Sequence, residues 1–155
     1  MKKRIWTYII AIAIPLAVGG LSALLTRNGM ESYGMITKPA LSPPAWLFPI
    51  VWSVLFILMG IGSALVYENG AGDERESALK VYFFQLAINF FWSIIFFNMR
   101  AYLFAFIWLL LLWVFIILMI IKFYRVNKAA ALMQLPYLLW VTFAGYLTLS
   151  VWLLN

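Results

Sequence analysis

Five long apolar runs constrain this chain more than any other feature of its sequence. They cover approximately residues 5–26, 44–67, 79–98, 102–122 and 129–153, and charged residues concentrate between them and at their ends. A helix needs about 20 apolar residues to cross the hydrocarbon core of a bilayer, and each run is about that long. The sequence therefore predicts an all-α integral membrane protein, a five-transmembrane-helix bundle in which residues 1–155 form a single membrane domain.

The composition excludes an ordinary water-soluble domain and much of enzyme chemistry. Of the 155 residues, 66% are hydrophobic and 10% are charged, whereas soluble domains carry about 25% charged residues. The sequence contains no cysteine and no histidine. It therefore lacks thiol chemistry, thiolate metal sites, the commonest metal ligand and the commonest general base. We expect no metal site and no cofactor.

The distribution of basic residues predicts how the chain lies in the membrane. With the N-terminus inside, eight Lys or Arg residues fall in inner segments and three in outer segments. The inner residues are Lys2, Lys3, Arg4, Arg75, Lys80, Lys122, Arg125 and Lys128, and the outer residues are Arg27, Lys38 and Arg100. Because basic loops are retained on the cytoplasmic side, we expect the N-terminus inside and the C-terminus outside. These charges are scattered and flank the membrane, so we expect no nucleic acid partner.

The third predicted span carries two amides on one helical face. Gln85 and Asn89 are four residues apart, and Trp92 and Phe96 continue the same stripe. Amides that face lipid are costly, so this stripe must face protein or a cavity. Hydrogen bonds between helices and a ligand site are both compatible with that pattern. The five spans contain no Asp, Glu or His, which disfavours a carboxylate-driven pump.

Aromatic stripes also mark the second and fifth spans. Trp52 and Phe56 lie on one face of the second span, and Trp140 and Ala144 lie on one face of the fifth. At about 1.5 Å per residue, Trp52, Asn89 and Trp140 all fall about 12 to 15 Å below the outer surface. Flat π-faces at one depth suit a flat, apolar ligand, although aromatic stripes are also typical of simple packing.

The long outer segment, residues 27–43, lies above this level in the predicted topology. Pro39 and Pro43 stiffen it. Loops of this length without structure of their own are often lids or binding loops, so we predict a ligand-covering loop.

Small residues at helical spacing, such as Gly60 and Ala64, would let two helix backbones approach closely. Packing within the chain and a dimer interface are both possible explanations of that spacing.

Ordered motifs in three spans resemble those of the TspO/translocator protein family, whose members are also called tryptophan-rich sensory proteins or peripheral benzodiazepine receptors. The motifs are the run from Tyr33 to Trp46 with Pro49, Trp52 and Met59-Gly60; Gln85-Leu86-Ala87-Ile88-Asn89 with Trp92, Phe96-Phe97 and Arg100; and Leu135-Pro136-Tyr137-Leu138-Leu139-Trp140 with Phe143-Ala144 and Val151-Trp152. The resemblance covers nearly the whole chain and all five predicted spans.

This resemblance implies a membrane receptor or binding protein, usually a homodimer, with an intramembrane aromatic pocket under the first loop. The implied ligands are porphyrins such as protoporphyrin IX, sterols, and isoquinoline carboxamide or benzodiazepine drugs. By motif position the pocket residues would be Trp52, Asn89, Trp140 and Ala144, with Tyr33 and Pro43 from the lid; Phe56, Gln85 and Trp92 extend the same stripes. Bacterial members are associated with tetrapyrrole regulation and with light-dependent breakdown of protoporphyrin, in which Trp52 and Trp140 would be the photochemically active residues. A location in the bacterial cytoplasmic membrane is the corresponding expectation.

Several alternatives stay open at this point. Arg27 or Lys38 could pair with a porphyrin carboxylate or with lipid phosphate. The stretch 147–153 lacks the Tyr and the basic residue of the sterol motif of animal members, which disfavours a sterol as the native ligand, and the absence of His and Cys favours a metal-free porphyrin. A transporter or shuttle of tetrapyrroles, sterols or lipids is the alternative function, and a structural, partner-binding membrane protein is a third.

Overall fold

The computed structural model describes residues 2–155, and helices make up almost all of them. The elements are α1 (Lys2–Leu25), α2 (Arg27–Tyr33), α3 (Leu47–Asn69), α4 (Gly72–Ser93), a π-helical turn (Ile94–Asn98), α5 (Tyr102–Val126), α6 (Lys128–Leu132) and α7 (Leu135–Leu154). Five helical rods are long and apolar enough to cross a membrane: α1, α3, α4 with the π-helical turn, α5, and α6 with α7. The described residues form no strand. The prediction of an all-α, multi-pass membrane protein with five spans is therefore confirmed.

The core lies among α3, α4, α5 and α7, while α1 packs on the outside of α3. Helix α5 packs against both α4 and α7. The side chains of Met59, Ile116 and Tyr137, from three of the four core helices, are completely buried. By contrast, Pro15 and Ser22 are the buried residues of α1. Helix α1 therefore presents most of its apolar surface outward, as a membrane-facing helix does.

Helix α4 begins seven residues before the predicted start of the third span. The chain turns at Gly72, whose φ of 58° is in the left-handed region that glycine tolerates. Asp73 and Glu74 then occupy the first turn of α4, where negative charge is stabilised by the helix dipole. Polar residues thus continue the helix beyond the apolar run, and much of the segment 68–77 between the second and third predicted spans is helical.

The fifth span is broken into α6 and α7. Pro136 lies in the first turn of α7, where its missing N–H costs nothing, whereas its ring would clash with the preceding turn of a continuous helix. Asn127 caps α6 by accepting a hydrogen bond from Ala130 N at 3.0 Å. At the break, Gln134 Nε2 donates to Leu58 O at 3.1 Å and ties the junction to α3.

The segment 27–43, predicted as an outer, ligand-covering loop, contains the short helix α2. This helix docks on the turn between α4 and α5, where Arg100 Nη2 donates to Ser32 Oγ at 2.9 Å. Just before α2, at the end of α1, Leu25 O accepts from Asn98 Nδ2 at 2.9 Å. Gly29 permits the contact, because a β-carbon there would lie 2.5 Å from the carbonyl oxygen of Phe97. The first half of the segment is therefore fixed to the bundle.

Asn155 fixes the next part of this segment. Its Nδ2 donates to Thr37 O at 2.8 Å, and its Oδ1 accepts from Thr37 N at 3.2 Å. One side-chain amide thus satisfies both backbone groups of a single lid residue, as a neighbouring strand would.

The small residues of α3 are used for packing within the chain. A β-carbon at Gly60 would lie 2.5 Å from the α-carbon of Ile12 and 2.7 Å from the carbonyl oxygen of Ala11. Ala64, one turn further, is completely buried. Of the two explanations of this spacing, intramolecular packing applies to both residues.

We expect Gly60→Ala to destabilise the fold, because the added methyl group meets backbone of α1 that cannot move without separating the helices. The predicted cost is about 1–3 kcal/mol, as for overpacking elsewhere. Gly20→Ala is the matched control, since a β-carbon at Gly20 has no neighbour within 4 Å. Thermal unfolding in detergent, followed by circular dichroism, should separate the two variants; equal midpoints would contradict the close approach.

We expect Asn155→Ala to free the lid at Thr37 without disturbing the bundle. Loss of both hydrogen bonds should speed hydrogen exchange at the Thr37 amide about tenfold. Leu153→Ala is the control, because the Leu153 side chain is 68% exposed. Exchange would be followed by mass spectrometry on peptides that contain residues 35–40, and unchanged exchange in Asn155→Ala would exclude this contact as the restraint.

Candidate functional site

A buried chain of hydrogen bonds joins α3, α4 and α7 at the level of the predicted amide stripe. Tyr137 Oη donates to Gln85 Oε1 at 2.6 Å and accepts from Asn89 Nδ2 at 2.8 Å. Gln85 Nε2 faces the sulfur of Met59 at 3.8 Å. Gln85 and Asn89 lie one turn apart on α4, so a single hydroxyl on the facing helix can reach both. The hydrogen-bonding explanation of the stripe thus applies to Gln85 and to the donor of Asn89.

The thioether of Met59 fixes the direction of this chain. Sulfur in methionine only accepts, so the amide nitrogen of Gln85 must face Met59 and its oxygen must face Tyr137. The Tyr137 hydroxyl then donates its hydrogen to Gln85, so it can only accept from Asn89. Asn89 must therefore present its amide nitrogen to Tyr137. Asn89 Oδ1 accepts no hydrogen bond from the described residues, and it is not among their fully enclosed unpaired atoms, so it remains accessible as an acceptor.

Of the two candidate photochemical tryptophans, Trp52 contacts this chain directly and Trp140 contacts Phe48 of α3. The Trp52 ring stacks on Phe56 at 5.6 Å between centroids and meets the Tyr137 ring edge-on at 6.2 Å. Trp140, nearly one turn beyond Tyr137 on α7, meets Phe48 of α3 edge-on at 5.7 Å. Aromatic side chains rather than close backbone packing therefore bridge α3 and α7. Both tryptophans are half-buried.

Other predicted site residues of the spans are more enclosed. Phe56, Gln85, Asn89, Trp92 and Ala144 are all at least nine-tenths buried. Ala144 follows Trp140 by one turn of α7, so its small side chain lies beside the same inter-helix region.

Tyr33 and Trp92 belong to a second aromatic cluster, beneath α2. The Tyr33 ring lies 5.6 Å from the rings of both Phe96 and Phe97, and Trp92 stacks on Phe96 at 5.3 Å. The structure thus divides the predicted pocket into a group around Tyr137 and this outer cluster. Burial raises the pKa of Tyr33, and the neighbouring Ser42 hydroxyl opposes that shift.

The lid charges lie near the surface. Lys38 Nζ donates to Gly34 O at 3.4 Å and lies 5.1 Å above the Tyr33 ring, so it is engaged within the lid. Arg27 is exposed at the start of α2, and Pro43 is half-buried. None of these observations places Arg27 or Lys38 beside Trp52 or Asn89.

An open groove of about 570 Å³ lies elsewhere, along α4 between Gly72 and Phe84. It is lined by residues of one helix, on the face opposite Gln85 and Asn89. It is a surface feature of α4 and is separate from the predicted site.

Comparison with known proteins identifies the family. The TspO/MBR family model matches residues 11–153. This chain belongs to the TspO/MBR family. It is 40% identical over 157 residues to the tryptophan-rich protein TspO of Chlorobaculum tepidum, an alignment that covers 100% of this chain and 99% of the relative. It is 37% identical to the tryptophan-rich protein TspO of Archaeoglobus fulgidus, over 94% of each chain, and 32% identical to the translocator protein of Bos taurus, over 95% of this chain and 89% of the relative.

Sequence reasoning missed the central residue of this TspO/MBR chain's hydrogen-bond network. Tyr137 was part of the motif that carries the family resemblance, but its hydroxyl was not predicted to join Gln85 and Asn89. One signal was available: two buried amides one turn apart need a partner at the same depth, and Tyr137 lies three residues before Trp140. The role of Met59 had no comparable signal in the sequence.

We expect Tyr137→Phe to destabilise the TspO/MBR bundle by about 1–3 kcal/mol, because it leaves Gln85 Oε1 and Asn89 Nδ2 buried without partners. Tyr146→Phe is the matched control, since Tyr146 is 42% exposed. The measurement is thermal unfolding in detergent. A loss no larger than that of Tyr146→Phe would show that other groups satisfy the two amides.

Proposed function

We propose that this chain is a membrane receptor that binds porphyrins, with protoporphyrin IX as the expected ligand, in the region between α3, α4 and α7. Isoquinoline carboxamide and benzodiazepine-type compounds would occupy the same place. The observation that carries the proposal is the pair of half-buried tryptophans between α3 and α7, Trp52 against Tyr137 and Trp140 against Phe48. Their faces offer stacking surfaces to a flat ligand, and Asn89 offers one hydrogen-bonding group at the same depth.

The packing of α3 and α7 supports ligand entry at this place. Because aromatic side chains fill the space between the two helices, rotation of a few rings can open it without separating closely packed backbones. The other faces of α3 have no such room to open, because its glycines are in close contact with neighbouring helices. A β-carbon at Gly60 would overlap the backbone of α1, and one at Gly62 would overlap Gln134 Nε2. A pocket that holds a porphyrin or a drug-sized molecule needs a volume of several hundred Å³. Binding must therefore displace side chains such as Phe48 or Tyr33.

We further propose that bound protoporphyrin is degraded in light through Trp52 and Trp140. Photoexcited porphyrin would take one electron from an indole ring in contact with it, which gives a reduced porphyrin and an oxidised indole. Breakdown of the macrocycle then needs dioxygen as the oxidant. Electron transfer of this kind requires close contact but no acid or base, which is consistent with a site without histidine.

The membrane arrangement completes the proposal. The excess of basic residues at one end of the bundle supports an N-terminus inside and a C-terminus outside, in a bacterial cytoplasmic membrane, with the chain as a homodimer. Transport or shuttling of tetrapyrroles or lipids is the alternative. The close packing of α6 on α3 around Gln134 favours binding without passage, because a path to the inner side would have to part these helices. Uptake of porphyrin into sealed vesicles beyond bound stoichiometry would favour the alternative.

The double variant Trp52→Phe/Trp140→Phe tests binding and photochemistry together. Phenylalanine keeps a stacking surface but is a much poorer electron donor, so affinity for protoporphyrin should fall about tenfold at most. Light-dependent bleaching should be abolished in the fully loaded variant. Binding would be titrated by the porphyrin absorption band, in the dark and then under illumination in air.

The double variant Trp6→Phe/Trp152→Phe is the matched control, because Trp6 is 61% and Trp152 is 41% exposed. It should bind and bleach protoporphyrin like the unaltered protein. Bleaching that persists in Trp52→Phe/Trp140→Phe would refute the photochemical role, and non-saturable binding by the unaltered protein would refute the receptor.

A further inference from the structure

The indole N–H of Trp92 is a buried donor without an acceptor. The Trp92 side chain is 8% exposed, and its Nε1 has no hydrogen-bond partner within residues 2–155. Two other tryptophans of the bundle are satisfied: Trp108 Nε1 donates to Ile88 O at 2.8 Å, and Trp113 Nε1 donates to Thr142 Oγ1 at 2.9 Å. Trp92 differs from these two, and among the described tryptophans only its Nε1 is fully enclosed without a partner.

Trp92 lies between the hydrogen-bond chain and the lid. It follows Asn89 by three residues on the same face of α4, and it stacks on Phe96, which in turn contacts Tyr33 of α2. Asn89 has already committed an amide hydrogen to Tyr137. Trp92 Nε1–H is thus a neutral donor without a partner near the proposed site, and it is the one on the same face of α4 as Asn89.

An unpaired donor in this position is costly to keep. Hydrocarbon offers no acceptor, and a buried N–H that loses water without gaining a partner destabilises the fold. Phenylalanine at this position would keep the stack on Phe96 without that penalty. An orphaned group of this kind calls for a partner that arrives from outside the chain.

We propose that Trp92 Nε1–H donates a hydrogen bond to the ligand, which makes Trp92 a specificity-determining residue. The inference rests on the proposed receptor function and narrows its ligand class: a flat aromatic molecule that carries a carbonyl-type oxygen at its edge. A carboxamide oxygen and a porphyrin carboxyl oxygen both meet this description. Because Nε1 is enclosed, a ligand reaches it only when neighbouring side chains move.

The test compares one isoquinoline carboxamide with the matching thiocarboxamide, which keeps the ring system but replaces the oxygen with sulfur, a larger atom and a weaker acceptor. The unaltered protein should prefer the carboxamide by about fivefold to tenfold, the equivalent of one neutral hydrogen bond. Trp92→Phe should bind both compounds equally, through a loss of carboxamide affinity of the same size. Affinities would be measured by competition with a fluorescent ligand in detergent.

Trp108→Phe is the matched control. It removes an indole N–H that already bonds to Ile88 O, so it should retain the preference for the carboxamide while its thermal unfolding midpoint falls. Trp92→Phe should show the reverse: the preference lost, and an unfolding midpoint in the absence of ligand that is unchanged or higher.

Two results would overturn the inference while the receptor function stands. One is saturable binding with the same preference in Trp92→Phe as in the unaltered protein. The other is a thermal loss in Trp92→Phe as large as that in Trp108→Phe, since the N–H would then already be bonded, to water, in the free protein. Failure of the unaltered protein to bind either compound saturably would refute the receptor function and this inference with it.

Discussion

The hydroxyl of Tyr137, shared between Gln85 and Asn89, holds the middle of the bundle together. In a hydrocarbon environment no water is available to hydrogen-bond either amide, so each amide needs a partner in another helix. One hydroxyl serves both because the two amides lie one turn apart on α4. The same ring contacts the edge of Trp52, so the contact that satisfies the amides also places an aromatic face beside them. Met59 completes the arrangement because its sulfur accepts only and so fixes which atom of each amide faces which way.

The two ends of α3 differ in how they meet the rest of the protein, and this difference gives the proposed site its place. At Gly60 and Gly62, backbone and side chains approach so closely that a single methyl group does not fit. Towards the outer end, Phe48 and Trp52 meet α7 through ring edges only. Rings that meet at their edges can rotate, whereas close-packed backbones cannot. Under the proposed function, the half of the bundle around Phe48 and Trp52 is therefore the part that adapts to a ligand.

The lid, residues 27–43, also combines fixed contacts with aromatic packing. Its first part is anchored by Asn98, Arg100 and the close approach at Gly29, and its next part by the amide of Asn155. These contacts lie at the surface, where hydrogen bonds exchange with water at modest cost. Beneath them lie Tyr33 and the Trp92 indole, which is buried and unpaired. The segment 27–43 thus covers aromatic packing that leaves the Trp92 indole nitrogen unpaired.

The sequence by itself determined the five spans, the absence of histidine and cysteine chemistry, and the family. Each of these depends on local information: about 20 apolar residues suffice for a span, and the motifs around Trp52, Asn89 and Trp140 are contiguous. Local information also indicated the amide stripe, but left open whether it bonds to a helix or to a ligand. The extra turns of α4 and the helix α2 were missed because polar residues outside an apolar run carry no periodicity signal.

Only the tertiary structure decided which side chains meet across helices. Tyr137 reaches Gln85 over 52 positions of sequence, and Asn155 reaches Thr37 over 118. The tertiary structure also divided the predicted pocket residues between the group around Tyr137 and the cluster beneath α2. It further decided that Gly60 packs against α1 rather than against a second chain. The physical reason is that a helix face specifies what it can contact but not its partner. In lipid the partner is chosen by fit and by hydrogen bonding rather than by burial alone.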